Sequence, residues 1–326
     1  DMPFENPKQG EFRISAQVAR GHYAYVPPAT TKAKGQPSPA WPALTDINGD
    51  LVFDRNTLRF AGNTQLQGAP HVTWQKVDAR IADFSNPVVQ VNGEARGPMQ
   101  EVLDVIAKSA LNDLTGTVLQ KSQATGEASY KLVLTLPLDK LTSSQVQGSV
   151  LFADNALQVI PGTPVLNRTR GTLQFSEQGF QLKGVQAQLL GGDAVLSGGL
   201  SFAQSQDKSP LQLSITGELT AEGLRQAREL GFLSRIAQRA KGKSEYSASV
   251  GLRRGQPELL VTSDLKGMAL TLPAPLTKLA SASLPLRIES QLTRESLQPK
   301  ARVLQDQIKV TLDRLLSVTY VRDLSG

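Results

Sequence analysis

Three short motifs place residue types that can do chemistry at suggestive spacings, and the first is Gly242-Lys243-Ser244. This triplet resembles the end of a phosphate-binding P-loop, but that loop needs a glycine five residues before Gly242, where Ala237 stands. The triplet also follows a predicted helix, whereas a P-loop follows a strand. We therefore expect no phosphate-binding loop here.

The second motif, Ser205 and Lys208, has the Ser-x-x-Lys spacing of enzymes that form an acyl-serine intermediate. The companion Lys-Thr-Gly and Ser-Asp-Asn motifs of such enzymes are absent from the sequence. There is no cysteine, which excludes a cysteine nucleophile and thiolate zinc sites. The two histidines, His22 and His71, have no evident catalytic or metal-binding partners. We expect no enzymatic activity, no catalytic residue and no cofactor.

The third motif, Asp46, Asn48 and Asp50, has the alternation of oxygen ligands seen in calcium-binding loops. Glycine falls at the fourth position of that loop rather than the sixth, and Thr57 stands where the loop has glutamate. A hairpin needs turn-compatible residues, which explains the same side chains equally well. No metal site is predicted.

The net charge of +6 is concentrated in one predicted helix and the residues after it. Between residues 220 and 255, eight basic residues stand against three acidic ones, so this segment alone carries +5. Such a face either is solvated on a helix that packs on the core, or contacts anionic phosphate on lipid or nucleic acid. The segment lacks interleaved aromatic residues and nucleic-acid-binding signatures, so no nucleic-acid partner is predicted. The candidate contacts to an anionic headgroup are Arg225, Arg228, Arg235 and Arg239.

Most of the chain consists of short stretches in which apolar and polar residues alternate, the pattern of half-buried β-strands. The clearest is a hairpin at Leu44–Gly62, which recurs 122 residues later at Leu166–Gly184 with five of nineteen positions identical. The identical positions are Leu44/Leu166, Gly49/Gly171, Leu51/Leu173, Phe53/Phe175 and Gly62/Gly184. A shorter third copy is predicted at residues 148–159, with Asp154-Asn155 in its turn.

Two amphipathic helices are predicted among the strands. Gly97-Pro98 begins the first, over residues 98–114, because proline is tolerated at the first helical position. Thr220 is the predicted N-cap of the second, over residues 220–241, and Gly242 is expected to end it. Apolar residues recur at three- and four-residue spacing in both, so each helix is expected to bury one face.

These patterns predict a mainly β fold: an elongated, curved, mostly antiparallel sheet that forms an open groove and carries two amphipathic helices. A closed sandwich is the alternative. The repeats suggest one unit at residues 1–122, a second at 123–243, and further strands of a continuing sheet at 244–326. No apolar run reaches the roughly 18 residues that a membrane-spanning helix needs. Both ends look like cuts through a longer protein.

Three stretches of the sequence resemble a known family. They are Trp41–Phe53, then Phe175–Gly192 with its final Leu-Leu-Gly-Gly, and Leu265–Lys278 with its G-x-x-x-x-L-P-x-P-L-x-K run, which is the most specific. All three are similar to stretches of the YhdP family, AsmA-like proteins of Gram-negative bacteria. The resemblance covers most of the chain, as an internal part of a much longer protein, and it includes no catalytic motif.

The resemblance implies a non-enzymatic, periplasmic segment of an inner-membrane-anchored protein. In this family the β-rich repeats look like a bridge, along whose apolar groove phospholipids pass between the inner and outer membranes. The implied partners are phospholipid acyl chains. Membranes would be reached through parts of the protein outside this segment, and protein partners are not indicated.

We predict that alternating apolar positions line one concave surface that holds lipid tails. These positions are Phe12, Ile14, Phe53, Leu58, Phe60, Leu132, Leu134, Phe152, Phe175, Phe180, Leu213 and Ile215. The competing interpretation is a structural or interaction scaffold of the cell envelope whose apolar faces are fully self-buried. An open trough would leave the side chains accessible, whereas a sealed sandwich would bury them.

Overall fold

The computed structural model describes residues 11–24, 42–109, 118–140, 143–201, 210–253, 256–298 and 304–324. Eighteen strands and a few short helices make up these ranges, in an open antiparallel arrangement. The predicted fold class is therefore confirmed. Within the same ranges, no helix has both the length and the hydropathy to cross a membrane. The chain forms two compact units, residues 1–161 with 172–177 and residues 162–171 with 178–326, while the predicted repeat boundaries stay a prediction.

The first unit is a run of antiparallel strands that follow one another in the sheet as they do in the chain. They are β1 (Arg13–Tyr23), β2 (Leu44–Asp54), β3 (Thr57–Leu66), β4 (Ala69–Ile81), β5 (Val88–Pro98), β6 (Gln123–Thr125), β7 (Glu127–Pro137) and β8 (Gln145–Gln158). β5 pairs directly with β7, and the short β6 pairs with the far half of β8. The next strand, β9 (Leu166–Ser176), is divided between the two units.

The register of these strands gives the first unit one apolar face. Residues directly opposite each other in paired strands point to the same side, and neighbours along a strand point to opposite sides. One line across six strands joins Ile14, Phe53, Leu58, Ile81, Val89 and Leu136, and the next joins Ala16, Leu51, Phe60, Ala79, Val91 and Leu134. The other side carries polar residues such as Arg59, Arg80 and Gln90. We call these two sides the apolar face and the polar face.

Helix α1 (Met99–Lys108) packs over one end of this apolar face. The buried cluster beneath it contains Ala69, Val72, Ala95, Val105, Ala128 and Tyr130. The carboxylate of Glu101, in the first helical turn, accepts a hydrogen bond from the backbone N–H of His71 at 2.9 Å and lies 2.5 Å from its Nδ1. This contact joins the helix to β4. Of the predicted helix at 98–114, residues 110–114 lie outside the described ranges.

The second unit repeats the same plan. Its strands are β10 (Gly179–Leu189), β11 (Gly192–Ser201), β12 (Leu211–Thr220), β13 (Ala240–Arg253), β14 (Gln256–Ser263), β15 (Met268–Leu270), β16 (Leu286–Leu292), β17 (Gln305–Leu312) and β18 (Leu316–Asp323). β14 pairs with β16, and β15 pairs with the start of β13. One line across eight strands is apolar throughout: Val185, Leu196, Ile215, Ala248, Val261, Ile288, Val310 and Val318. This line lies on the apolar face of the second unit.

The second predicted helix is broken into short pieces and does not run continuously over residues 220–241. α2 (Ala221–Gln226) begins at the predicted N-cap, Thr220, whose hydroxyl accepts a hydrogen bond from the N–H of Gly223 at 2.9 Å. One 3₁₀ turn later, Gly231 has a φ of +60°, and α3 (Phe232–Ile236) follows it. A left-handed residue cannot continue a right-handed helix, so the break at Gly231 is set by its backbone conformation.

The end of this helical segment also differs from the prediction. The chain enters β13 at Ala240, and Gly242, which was predicted to end the helix, lies inside that strand with a φ of +99°. Ile236, one of the apolar residues at helical spacing in this segment, is 37 % exposed, whereas Ala237 is buried. The segment therefore packs on the sheet through fewer residues than a continuous helix would.

An irregular strap, residues 264–285, covers the same end of the apolar face as α2 and is held by a buried lysine. The ammonium group of Lys278 donates to the backbone carbonyls of Leu265 (2.7 Å), Met268 (2.6 Å) and Leu279 (3.2 Å). Loss of solvation on burial lowers the pKa of Lys278. Lys278 is the lysine of the G-x-x-x-x-L-P-x-P-L-x-K run. Its hydrogen bonds join the two ends of this run within the strap.

The predicted third hairpin is wrong, because β8 runs through residues 148–158 as one strand. Asp154 has a φ of +65°, which makes a local irregularity in the strand and no chain reversal. The side chain of Asn155 is fully buried, and its Nδ2 donates to the carbonyls of Thr125 (3.0 Å) and Glu127 (3.1 Å). Asn155 of β8 is thus hydrogen-bonded to the neighbouring strands β6 and β7.

Candidate functional site

The sequence motifs whose residue types could take part in a reaction do not form a reactive site within the described residues. Gly242-Lys243-Ser244 belongs to β13, and the ammonium of Lys243 forms an ion pair with Glu218 at 2.8 Å, a hydrogen bond that raises the pKa of the lysine. Ser244 is buried. The other pair, Ser205 and Lys208, lies outside the described ranges.

The candidate calcium ligands instead form hydrogen bonds within β2 and to the neighbouring β1. Nδ2 of Asn48 donates to the backbone carbonyl of Asp46 at 2.8 Å and to its carboxylate at 3.1 Å. Oδ1 of Asn48 accepts the backbone N–H of Arg20 from β1 at 2.9 Å. In the part of the chain that the structure describes, no three His, Cys, Asp or Glu side chains are grouped closely enough to hold a metal ion.

The structure places the predicted groove residues of the first unit on its apolar face. By register these are Ile14, Phe53, Leu58, Phe60, Leu132, Leu134 and Phe152. Phe12 precedes β1 in the same alternation, and the ring of Phe175 lies over Gly148 of this face. Sequence reasoning thus brought together side chains from six strands that are far apart in the chain.

Much of this face is accessible. Ile14 is 49 % exposed, and the central residues Phe60 and Leu134 are half-buried. Phe152 differs, because it stands opposite Ala128 in the helix-covered part and is only 6 % exposed. Strands of this unit mainly contact the strands with which they pair. Among the other described elements, α1 makes the main contacts to them. Among the described residues, the covered end is therefore short and the rest of the apolar face is at least partly accessible.

Aromatic rings lie close to some of the glycines on the first unit's apolar face. A Cβ atom at Gly62 would lie 2.8 Å from Cζ of Phe60, and a Cβ at Gly148 would overlap the ring of Phe175. Strand glycines otherwise leave a depression in a side-chain surface. Here the rings of Phe60 and Phe175 fill part of that space at Gly62 and Gly148.

In the second unit the three predicted residues Phe180, Leu213 and Ile215 also share the apolar face, and all three are half-buried. The sequence prediction missed most of their neighbours, which carry the same two-residue alternation. The missed half-buried members include Leu182, Leu200, Leu211, Val250, Leu259, Val261 and Ile288. Extending the alternation along every strand would have found them.

The polar face of the first unit is stabilised by exposed charge pairs. Glu94 lies between Lys131 (3.0 Å) and Lys76 (3.2 Å) on the neighbouring strands. Hydrogen bonds from Lys131 and then Lys76 lower the pKa of Glu94. Arg59 and Asp78 form a further cross-strand pair at 2.8 Å. This face also carries a few exposed apolar residues such as Val133, but most of its side chains are polar or charged, whereas the opposite face is lined by apolar side chains.

The family model described as YhdP protein matches residues 1–325 of this chain. The chain belongs to the YhdP family. The chain is 22 % identical over 295 residues to the protein named intermembrane phospholipid transporter YhdP of Escherichia coli (strain K12). That match covers 88 % of the chain and 21 % of the relative, so the chain spans about a fifth of the curated relative. No solved structure matches it.

In this YhdP-family chain the four candidate headgroup residues differ in their surroundings. Arg225 donates from Nη1 to the carbonyls of Ala237 (3.3 Å) and Ala240 (3.1 Å), and from Nη2 to the carboxylate of Glu222. It therefore holds the broken helical segment together. The other three candidates are exposed: Arg228, Arg235 and Arg239.

Proposed function

We propose that the apolar face of each unit binds phospholipid acyl chains, and that the chain is a segment of a periplasmic protein that conducts phospholipids between the inner and outer membranes. The accessibility of these faces carries the proposal. A sheet in an ordinary domain buries its apolar face against a second layer. Here residues such as Leu134 and Leu213 are only partly buried in the middle of their faces.

Burial of hydrocarbon supplies the driving force for this binding. An acyl chain that leaves water gains about 0.8 kcal/mol for each methylene it buries. Within each unit the apolar lines run from strand to strand, so a chain that moves across the sheet exchanges one apolar contact for another. The free energy then changes little along the path, and the barriers to movement within a unit are small.

The headgroups require a different surface from the tails. Arg228, Arg235 and Arg239 are exposed on the segment that covers one end of the second unit's apolar face. We propose that they attract the net negative charge of the headgroups of anionic lipids whose tails lie on that face. Arg225 is a less suitable contact, because its guanidinium is already engaged by two carbonyls and by Glu222.

Two neighbouring residues of β7 provide a matched test. Leu134 lies on the apolar face, and Val133 lies on the polar face and is 46 % exposed. Leu134→Asp should lower the phospholipid that co-purifies with the protein by more than about tenfold, since a desolvated carboxylate costs several kcal/mol. Val133→Asp should leave the lipid content unchanged.

The second unit offers the equivalent pair, Leu213 and Ser214 on β12, for which Leu213→Asp and Ser214→Asp should behave in the same way. Bound lipid is measured by mass spectrometry of solvent extracts, and circular dichroism confirms that each variant is folded. A wild-type protein that carries no lipid would support the scaffold interpretation instead.

A further inference from the structure

An arginine ends the apolar stripe of β18 in the second unit. Val318 belongs to the apolar line of this face, and residues two apart on a strand point to the same side, so Leu316, Tyr320 and Arg322 share the face with it. The three residues that precede Arg322 in this alternation have large, exposed hydrophobic side chains. The stripe therefore has the same order of apolar and polar groups as a phospholipid, in which a charged headgroup follows the tails.

A buried carboxylate holds the guanidinium group of Arg322 in place. Asp306 of β17 stands directly opposite Arg322 and is only 7 % exposed. Nε of Arg322 donates to Oδ1 of Asp306 at 3.0 Å, and Nη2 donates to Oδ2. The same Oδ2 accepts a hydrogen bond from the hydroxyl of Ser290 on β16 at 3.4 Å. Two parallel hydrogen bonds of this kind fix the plane of a guanidinium group.

The guanidinium group remains accessible although it is held. The side chain of Arg322 is 47 % exposed. A guanidinium group has five N–H donors, and the pair with Asp306 occupies two of them. Its planar fork matches the oxygens of a phosphate group, which is why arginine is common where proteins bind phosphate. Arg322 can therefore keep its contact with Asp306 and contact a phosphate at the same time.

Arg322 lies toward the opposite end of the strands from the cover formed by α2 and the strap. β13 begins beneath this cover at Ala240 and reaches the half-buried Val250 after leaving it. From Val250 the register crosses four further strands on the same face, through Leu259, Ser290, Ile308 and Tyr320. Arg322 is two residues further along β18, in the direction away from the cover.

The stripe is long enough for the hydrocarbon tails of a lipid. At about 3.4 Å per residue, the distance from Leu316 to Arg322 is about 20 Å. The hydrocarbon half-thickness of a bilayer is about 15 Å. A further strand that paired with β18 would lie in the plane of the sheet and leave this face uncovered. Tails that lie along β18 therefore bring the phosphate of the same lipid to Arg322.

The pair of Arg322 and Asp306 has no net charge, which determines the kind of headgroup contact. Long-range attraction of anionic lipids, proposed above for Arg228, Arg235 and Arg239, is not expected from a neutral pair. Hydrogen bonds from a held guanidinium act at short range and need only phosphate oxygens as acceptors. Zwitterionic phospholipids also have these oxygens, so the contact does not require an anionic lipid.

We propose that Arg322, positioned by Asp306, donates hydrogen bonds to the phosphate of a phospholipid whose tails lie along β18 on the apolar face. This proposal rests on the proposed function and adds a binding site for the headgroup. It also gives the lipid a direction on this part of the face, with the tails toward Leu316 and the headgroup at Arg322.

Two lipids with identical tails test the phosphate contact. Purified protein with a photoreactive amino acid at Val318 is incubated with equimolar dioleoyl phosphatidylethanolamine and dioleoylglycerol, which lacks the phosphate, and adducts are quantified by mass spectrometry. The Arg322→Met/Asp306→Asn variant should lower the ratio of phospholipid to dioleoylglycerol adducts about fivefold to tenfold, as expected for the loss of charged hydrogen bonds at an accessible site. This variant keeps the net charge and leaves no buried carboxylate unpaired, so it is expected to fold.

The matched control is a carboxylate-paired arginine on the polar face of the same unit. Nη2 of Arg287 lies 2.7 Å from Oε1 of Glu289, and the side chain of Arg287 is half-exposed like that of Arg322. Both residues are neighbours of Ile288, which belongs to the apolar line, so they point to the opposite side. Arg287→Met/Glu289→Gln should therefore keep the wild-type ratio of adducts. Circular dichroism confirms that both variants are folded.

The outcomes separate the phosphate contact from the function on which it rests. An Arg322→Met/Asp306→Asn variant with the wild-type ratio of adducts would overturn the contact and leave acyl-chain binding intact. An equal fall of the ratio in the control variant would overturn it as well, because the preference would then not depend on the apolar face. Wild-type protein that forms no adduct with either lipid at position 318 would instead contradict acyl-chain binding on this face.

Discussion

The indole ring of Trp74 lies against the backbone of Gly93 on the neighbouring strand. A Cβ atom at position 93 would stand 2.8 Å from Cε3 and 3.0 Å from Cζ3 of the ring. Both positions belong to the apolar face, where the ring of Phe175 lies against Gly148 in the same way. Glycine at these positions makes room for an aromatic neighbour, and the ring in turn fills the surface.

Gly93→Ala should therefore destabilise the protein by about 1–3 kcal/mol, because the added methyl group forces the indole out of its place. The free energy of unfolding in urea is the measurement. The control is the same substitution in a Trp74→Ala background, where the ring that causes the overlap is gone. If the cost of Gly93→Ala is the same in both backgrounds, the close packing is not its cause.

The hairpin at Leu44–Gly62 was predictable because local signals agree with the final structure. β2 ends at Asp54, β3 begins at Thr57, and Arg55 in the turn has a φ of +52°. A strict two-residue alternation on both sides of the turn then fixes the register, since a slip of one residue would reverse the faces. Local sequence is sufficient where the turn and the alternation give the same answer.

Long-range contacts explain the features that the sequence did not reveal. Asp154-Asn155 has the composition of a turn, yet the carbonyls of Thr125 and Glu127 recruit Asn155 to the strand interior. The helix at 220–241 shows an apolar period throughout, but the non-helical backbone of Ala227 and then of Gly231 breaks it. Periodicity reports which residues share a face and does not report where the backbone leaves the helix.

The candidate site, like the fold, was predictable only in the features that local residue alternation determines. Alternation identified the side of the sheet on which Phe60 and Leu213 lie. It did not separate the open part of a face from the part beneath a helix, where Phe152 is buried.

Lys278 provides a second test of the fold. Lys278→Met removes an ammonium group that donates hydrogen bonds to three backbone carbonyls. The substitution should lower the free energy of unfolding by about 3 kcal/mol. Lys266 lies in the same strap and is exposed, so Lys266→Met should change stability by less than about 0.5 kcal/mol. Equal and small effects for both variants would show that the strap is held by its apolar residues alone.

The arginines of the broken helical segment should separate into two classes. Arg225→Gln should cost about 1–2 kcal/mol of stability, because charged hydrogen bonds to two backbone carbonyls and to Glu222 are lost. The combined Arg228→Gln/Arg235→Gln/Arg239→Gln variant should be as stable as the wild type within about 0.5 kcal/mol. Thermal unfolding measures both.

The same triple variant tests the headgroup contact. It should bind less of an anionic phosphatidylglycerol than the wild type does, with little change for zwitterionic phosphatidylcholine of the same acyl chains, since only the charge attraction is removed. Lipid content by mass spectrometry after incubation with each lipid gives the comparison. An equal loss for both lipids would assign these arginines to folding or general surface properties and not to anionic headgroups.

The most direct test of the central claim is a photo-crosslinking scan along β7 in living cells. A photoreactive amino acid is placed singly at each position from Lys131 to Leu136, and lipid adducts are identified by mass spectrometry. The apolar face predicts adducts at Leu132, Leu134 and Leu136 and none at the three intervening positions, which face the opposite side. Adducts to protein alone, or lipid adducts without this alternation, would contradict an acyl-chain groove on the apolar face.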